Sequence, residues 1–139
     1  RGVARAGTIR SPLWKGGGVV FGPEPHGYSH KMPKKMSKLA RKSVISKRIK
    51  DGEVVVLDTI DIDSKKTSNF KSFLKDIKVN QKKTLILVSS FQENLVLASR
   101  NLRNVFIENA KSVSVYDLLD SDIILIDKLS VKILAEVLA

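Results

Sequence analysis

The chain has 139 residues, 25 Lys or Arg against 14 Asp or Glu, a formal net charge of +11 and no cysteine. That length suits one small globular domain, or a domain with an arm, and excludes two full domains with large cores. The lack of cysteine excludes disulfides, thiolate metal sites and cysteine nucleophiles, and apolar runs as short as Ile123 to Ile126 exclude a membrane-spanning helix. The positive surplus calls for a polyanionic partner, nucleic acid before an anionic membrane.

The surplus is confined to one end. Residues 1–50 carry a net +12, with Glu24 the single acid, whereas residues 51–139 carry −1. Such asymmetry marks an arm attached to a folded body. Residues 1–33 also hold seven of the eight glycines and all four prolines, with no helical or strand period. A segment of arginine, glycine and an isolated Trp14 cannot bury a core of its own, so it is expected to order against a partner. The expected division is an extended basic arm over 1–32 and an α/β domain over 33–139.

From Pro33 a helix is expected to run to about Lys50, with Pro33 in its first turn. Met36, Leu39, Ala40 and Val44 form its apolar stripe, and Lys34, Lys35, Lys38, Arg41, Lys42 and Lys47 cover most of the rest. Asp51-Gly52 is a stop signal. Glu53 to Asp58 is a continuous apolar run, expected as a strand buried on both faces. Thr67 opens a short helix with Phe70, Phe73, Leu74 and Ile77 on one side. Thr84 to Ser89 is a second strand, Asn94 to Asn101 a helix, and Asn104 to Ile107 a third strand. Ser114 caps a short helix containing Leu118. Asp122 to Asp127 is the fourth strand, and Ser130 is expected to cap a last helix with Val131, Leu134, Val137 and Leu138 inward. This alternation implies a mostly parallel sheet of about four strands with helices on both faces.

Chemistry in the body finds little support. Gly16-Gly17-Gly18 follows no buried strand, and the chain has no Gly-x-Gly-x-x-Gly, no Gly-x-x-x-x-Gly-Lys-Ser/Thr and no Gly-x-Ser-x-Gly. His26 and His30 are four apart, but Pro25 and Gly27 argue against a helix and no third ligand joins them, so no metal site is expected. Asp58, Asp61 and Asp63 cluster after the first strand without a companion catalytic group and read as a turn-forming acidic patch. No catalytic residue and no cofactor is expected.

The arm carries the stronger signal. Arg1, Arg5, Arg10 and Lys15 are set along a glycine-relieved backbone, where about 3.3 Å per extended residue lets them span several phosphates. Arginine binds phosphate bidentately, and Trp14 and Tyr28 offer flat faces for bases. In the helix, the six cations named above have no interspersed acid and lack the alternating signs of a merely solvated face. The expected RNA-binding set is Arg1, Arg5, Arg10, Trp14, Lys15, His26, Tyr28, Lys31, Lys34, Lys35, Lys38, Arg41, Lys42, Lys47 and Arg48.

The stretch Arg5-Ala6-Gly7-Thr8-Ile9-Arg10-Ser11-Pro12-Leu13-Trp14-Lys15-Gly16-Gly17-Gly18, with Phe21-Gly22-Pro23 and Met32-Pro33-Lys34-Lys35, resembles the bacterial-type L4 family of large-subunit ribosomal proteins. The resemblance continues through Asp117-Leu118-Leu119 to the final helix. It implies an α/β body on the outer side of the large subunit and an internal loop reaching inward through rRNA to the peptide exit tunnel. It makes Arg1 to about Lys31 the returning half of that loop, and the chain an N-terminally incomplete view of a longer protein. Val3 stands where the family's tip carries an arginine, and Glu24-Pro25-His26-Gly27 replaces a more cationic stretch. The implied partners are large-subunit rRNA and neighbouring ribosomal proteins, with no membrane and no self-association. The implied location is the ribosome, in bacterial cytoplasm or in an organelle. Two other readings are a free regulator that binds a messenger leader and a small nucleotide-dependent α/β RNA-modifying enzyme.

Overall fold

A computed structural model describes residues 7–62 and 64–139. Arg1, Arg5 and Asp63, named above, lie outside the described residues. The described residues fall into two compact units, one ending at Lys31 and the other running Met32–Ala139.

The second unit alternates helix and strand throughout: α1 (Lys34–Lys50), β1 (Val54–Leu57), α2 (Thr67–Asp76), β2 (Thr84–Val88), α3 (Glu93–Ser99), β3 (Val105–Asn109), α4 (Val115–Asp120), β4 (Ile123–Asp127) and α5 (Lys128–Leu138). The four strands form one parallel sheet in the order β1-β4-β2-β3. The last strand in sequence therefore lies inside the sheet, between β1 and β2.

The side-chain period of two sorts the core into two layers. Ile86 and Val88 of β2 and Leu125 of β4 pack with Phe70 and Leu74 of α2 and with Leu95 and Ala98 of α3. Leu85 and Leu87 of β2 and Ile124 and Ile126 of β4 face the other way, towards Leu118 of α4, Leu134 of α5 and the half-buried Val44 and Ile45 of α1. Every residue of β2 is buried, which is why its sequence is apolar without alternation.

Three expectations need correction. Glu53 to Asp58 is not a strand buried on both faces: β1 is an edge strand, and Val56 is 56% exposed. Strands β2 and β4 are the doubly covered ones. The last helix is not capped by Ser130. It starts at Lys128 with Asp127 at its N-cap, and Ser130 is fully buried inside the first turn while Val131 is substantially exposed. The stripe of α1 is also rotated. Met36 and Leu39 face solvent, and Ser37, Arg41, Val44, Ile45 and Arg48 lie on the covered side. Long side chains with aliphatic stems can occupy a seat that an apolar count assigns elsewhere.

Candidate nucleic-acid interface

The first unit is built from backbone turns. Ser11 N–H donates to Thr8 O at 3.0 Å, Trp14 N–H to Ser11 O at 3.0 Å and Gly17 N–H to Trp14 O at 2.9 Å, and Gly18 N–H closes the loop on Arg10 O at 2.9 Å. Residues 8–18 are thus a closed knot of turns rather than an extended run. The middle glycine has a steric reason: a Cβ on Gly17 would lie 1.9 Å from Ser11 O. The Gly16-Gly17-Gly18 run lets the chain fold onto itself and present Arg10, Trp14 and Lys15 from one short loop.

The side chains of that loop are in water. Arg10 and Lys15 are exposed, Trp14 is about half exposed, and Leu13 and Phe21 are almost fully so. Further along, the rings of His26 and Tyr28 lie 4.4 Å apart at 48°, and His26 Nδ1 is 3.2 Å from the Glu24 carbonyl oxygen. Lys31 is exposed. Leaving this many apolar and aromatic groups uncovered is unfavourable unless a partner covers them.

In the second unit, α1 carries the other expected cations. Pro33 serves as its N-cap, one residue before the expected first turn, and its carbonyl accepts from Met36 and Ser37 N–H at 3.0 and 3.2 Å. The first turn holds Lys34 and Lys35 and no acid. Positive charge at the positive end of the helix dipole is unfavourable, and a phosphate beside it removes the conflict. Lys34, Lys35, Lys42 and Lys47 are exposed, Lys38 and Arg41 half-buried, and none of the six makes an ion pair among the described residues. Arg41 lines a hollow between α1 and the segment Ser112–Val115.

Arg48 is engaged differently. Its Nε donates to Leu118 O at 3.2 Å, and Nη2 donates to Leu119 O at 2.8 Å and Ser121 O at 2.7 Å. Nη1 pairs with the Glu53 carboxylate. The guanidinium closes the C-terminus of α4 and ties it to α1 and to the start of β1. Helices end with carbonyls that have no partner inside the helix, and a cation there also suits the dipole. Its donors are occupied within the body, unlike those of the other cations of α1.

A crevice at the carboxyl ends of β1, β2 and β4 is lined by Thr59, Asp61, Ser89, Ser90, Gln92 and Asp127. It bears on the enzymatic alternative because such crevices receive nucleotides in open α/β sheets. Among the described residues no lysine or arginine lines it to meet a phosphate. Asp61 accepts from Gln92 Nε2, and Asp58 pairs with Lys128 at 3.2 Å, so two members of the acidic patch already have partners. Among the described residues no group of three or more His, Asp or Glu is placed to hold a metal ion.

Fold and charge together define an α/β protein whose net positive charge is gathered before its first strand. The chain belongs to the ribosomal protein L4/L1 family, whose profile matches residues 1–137. It is 44% identical over 136 residues to the large ribosomal subunit protein uL4 of Finegoldia magna, a match that covers 98% of this chain and 65% of that protein. The chain therefore spans about two thirds of the length of this curated relative.

Proposed function

We propose that the protein is a structural component of the large ribosomal subunit that binds large-subunit rRNA and is not an enzyme. The family match across residues 1–137 carries this reading. The division of labour is an arm over 1–32, extending as a loop toward the peptide exit tunnel, and an α/β anchor over 33–139. In the arm, Arg1, Arg5, Arg10, Lys15 and Lys31 meet phosphates, while Trp14, His26 and Tyr28 offer faces to bases. In α1, Lys34, Lys35, Lys38, Arg41, Lys42 and Lys47 meet phosphates. The unpaired cations of α1 and the uncovered aromatics of the arm support this assignment. Neighbouring ribosomal proteins are partners of the body, and the ribosome is its location.

Two measurements test the reading. The protein should stay with large subunits, one copy each, through a high-salt sucrose gradient. With about eight of these eleven cations on phosphates at once, at about 0.7 per contact, log K for single-stranded RNA should fall against log salt with a slope near −6. Release at moderate salt with tight binding to a messenger leader would favour the free regulator instead. A slope near zero would remove the polyanion claim altogether.

A further inference from the structure

The body from Asp51 onward contains ten lysines but only two arginines, Arg100 and Arg103. It also exposes only two phenylalanines among its described residues, Phe91 at 56% and Phe106 at 47%. All four side chains line one groove, whose apolar floor includes Val96 and Ile107, along the outer side of β3. Strand β3 is the sheet edge opposite β1, and among the described residues no further strand covers this side. Neither arginine makes an ion pair among the described residues. Lys83 adds a cation 5.2 Å from the centre of the Phe106 ring.

We infer that this groove is a second RNA-binding surface, which takes an unpaired nucleotide by stacking a base on a phenyl face while arginine holds the flanking phosphate. The inference rests on the proposed rRNA-binding function and adds a site that neither the arm nor α1 contains. A base needs a flat apolar platform, and its phosphate needs a forked donor; the groove supplies both within one short stretch of chain. An apolar peptide added to the β3 edge would leave both guanidiniums without a role. Lysine is the common cation of this body, and the two places where arginine replaces it are the two beside exposed rings. Arginine's planar head suits stacking and bidentate phosphate contact, which an ammonium does not provide.

The test uses the full chain and a labelled single-stranded oligouridine. Removing two phosphate contacts with Arg100→Gln and Arg103→Gln should make the salt slope shallower by about 1.4. Phe91→Leu should weaken binding by about tenfold with the slope unchanged, because stacking releases no counterions. All three residues are exposed, so unchanged urea midpoints verify that the variants fold. A quadruple Lys34, Lys35, Lys38, Lys42→Gln variant serves as reference. If it loses affinity while the groove variants bind like the parent, the groove inference is overturned and the rRNA-binding reading stands. If no variant alters affinity, both fall. If the groove variants keep RNA affinity but lose a neighbouring ribosomal protein in reconstitution, the groove is a peptide site and the inference is overturned.

Discussion

One residue, Arg48, joins three segments of the body. Its guanidinium serves three carbonyls at the end of α4 and the carboxylate of Glu53, and its side chain is 15% exposed. Arg48→Ala should lower unfolding free energy by about 2–3 kcal/mol, since charged hydrogen bonds are lost and carbonyls left short of donors. Arg48→Lys should recover little, because an ammonium cannot span the fork. Urea denaturation reads both, and midpoints equal to the parent's would remove the clamp from the account. Two surface pairs set weaker, pH-dependent terms. The hydrogen bond from Lys65 holds Glu93 below its ordinary 4.5. That pair therefore stabilises the fold above 4.5 and is lost as pH falls through the lower folded value. Asp120 holds Lys83 above 10.5, so that pair stabilises below 10.5 and is lost as pH rises through the higher folded value. Glu93→Gln should make the loss of stability between about pH 5 and pH 3 slightly shallower, read as urea midpoints across that range. A steeper loss would contradict the sign.

At the scale of elements, α4 is six residues long and depends on its ends. Ser114 Oγ accepts from Asp117 N–H at 3.1 Å at one end, and Arg48 closes the other. Ser114→Ala should cost about 1 kcal/mol, measured by the same denaturation, as N-cap replacements do. This cap was legible in the sequence because Ser114 stands just before the apolar pattern and Asp117 follows three residues on. The alternation of strands and helices was legible for the same kind of reason, through short β-branched runs separated by turn signals. The position of β1 was not, because an apolar run looks the same at an edge as at the centre. Only the arrival of β4 beside it, from 66 residues beyond the end of β1 at Leu57, decides which strand is covered twice. The seat of α1 was hidden by Arg48, which counts as polar in any apolar stripe yet packs inward. In the candidate site, the gathering of charge was legible from counting alone. The knot over residues 8–18 was not, because its closing bond joins backbone groups of Gly18 and Arg10 that no side-chain pattern reports.

For the whole molecule, the division at Lys31 and Met32 has a measurable counterpart. Residues 19–31 have no helix or strand and are exposed throughout, and backbone of that kind is where proteases cut. Limited trypsin digestion without RNA should cleave first at Arg10, Lys15 or Lys31 and leave a resistant body, and bound rRNA should slow these cuts. Equal cleavage rates with and without rRNA would separate the arm from the binding surface. Inside the body, the pairs that the fully buried β2 makes with β3 and β4 should be the last to exchange amide hydrogens, and the open edge of β1 among the first.

The sheet order also sets a timetable for synthesis. Among the described residues β1 is hydrogen-bonded to β4 alone, and β4 is the last of the four strands in chain order. A growing chain can pair β2 with β3 early, yet β1 waits until β4, the last of the four strands, has been made before it gains that neighbour. Throughout that interval the cationic arm and α1 have already been made, while the body that anchors them is unfinished. Nascent chains therefore present their polyanion-binding end before their core can close, so capture by RNA during translation would precede folding rather than follow it.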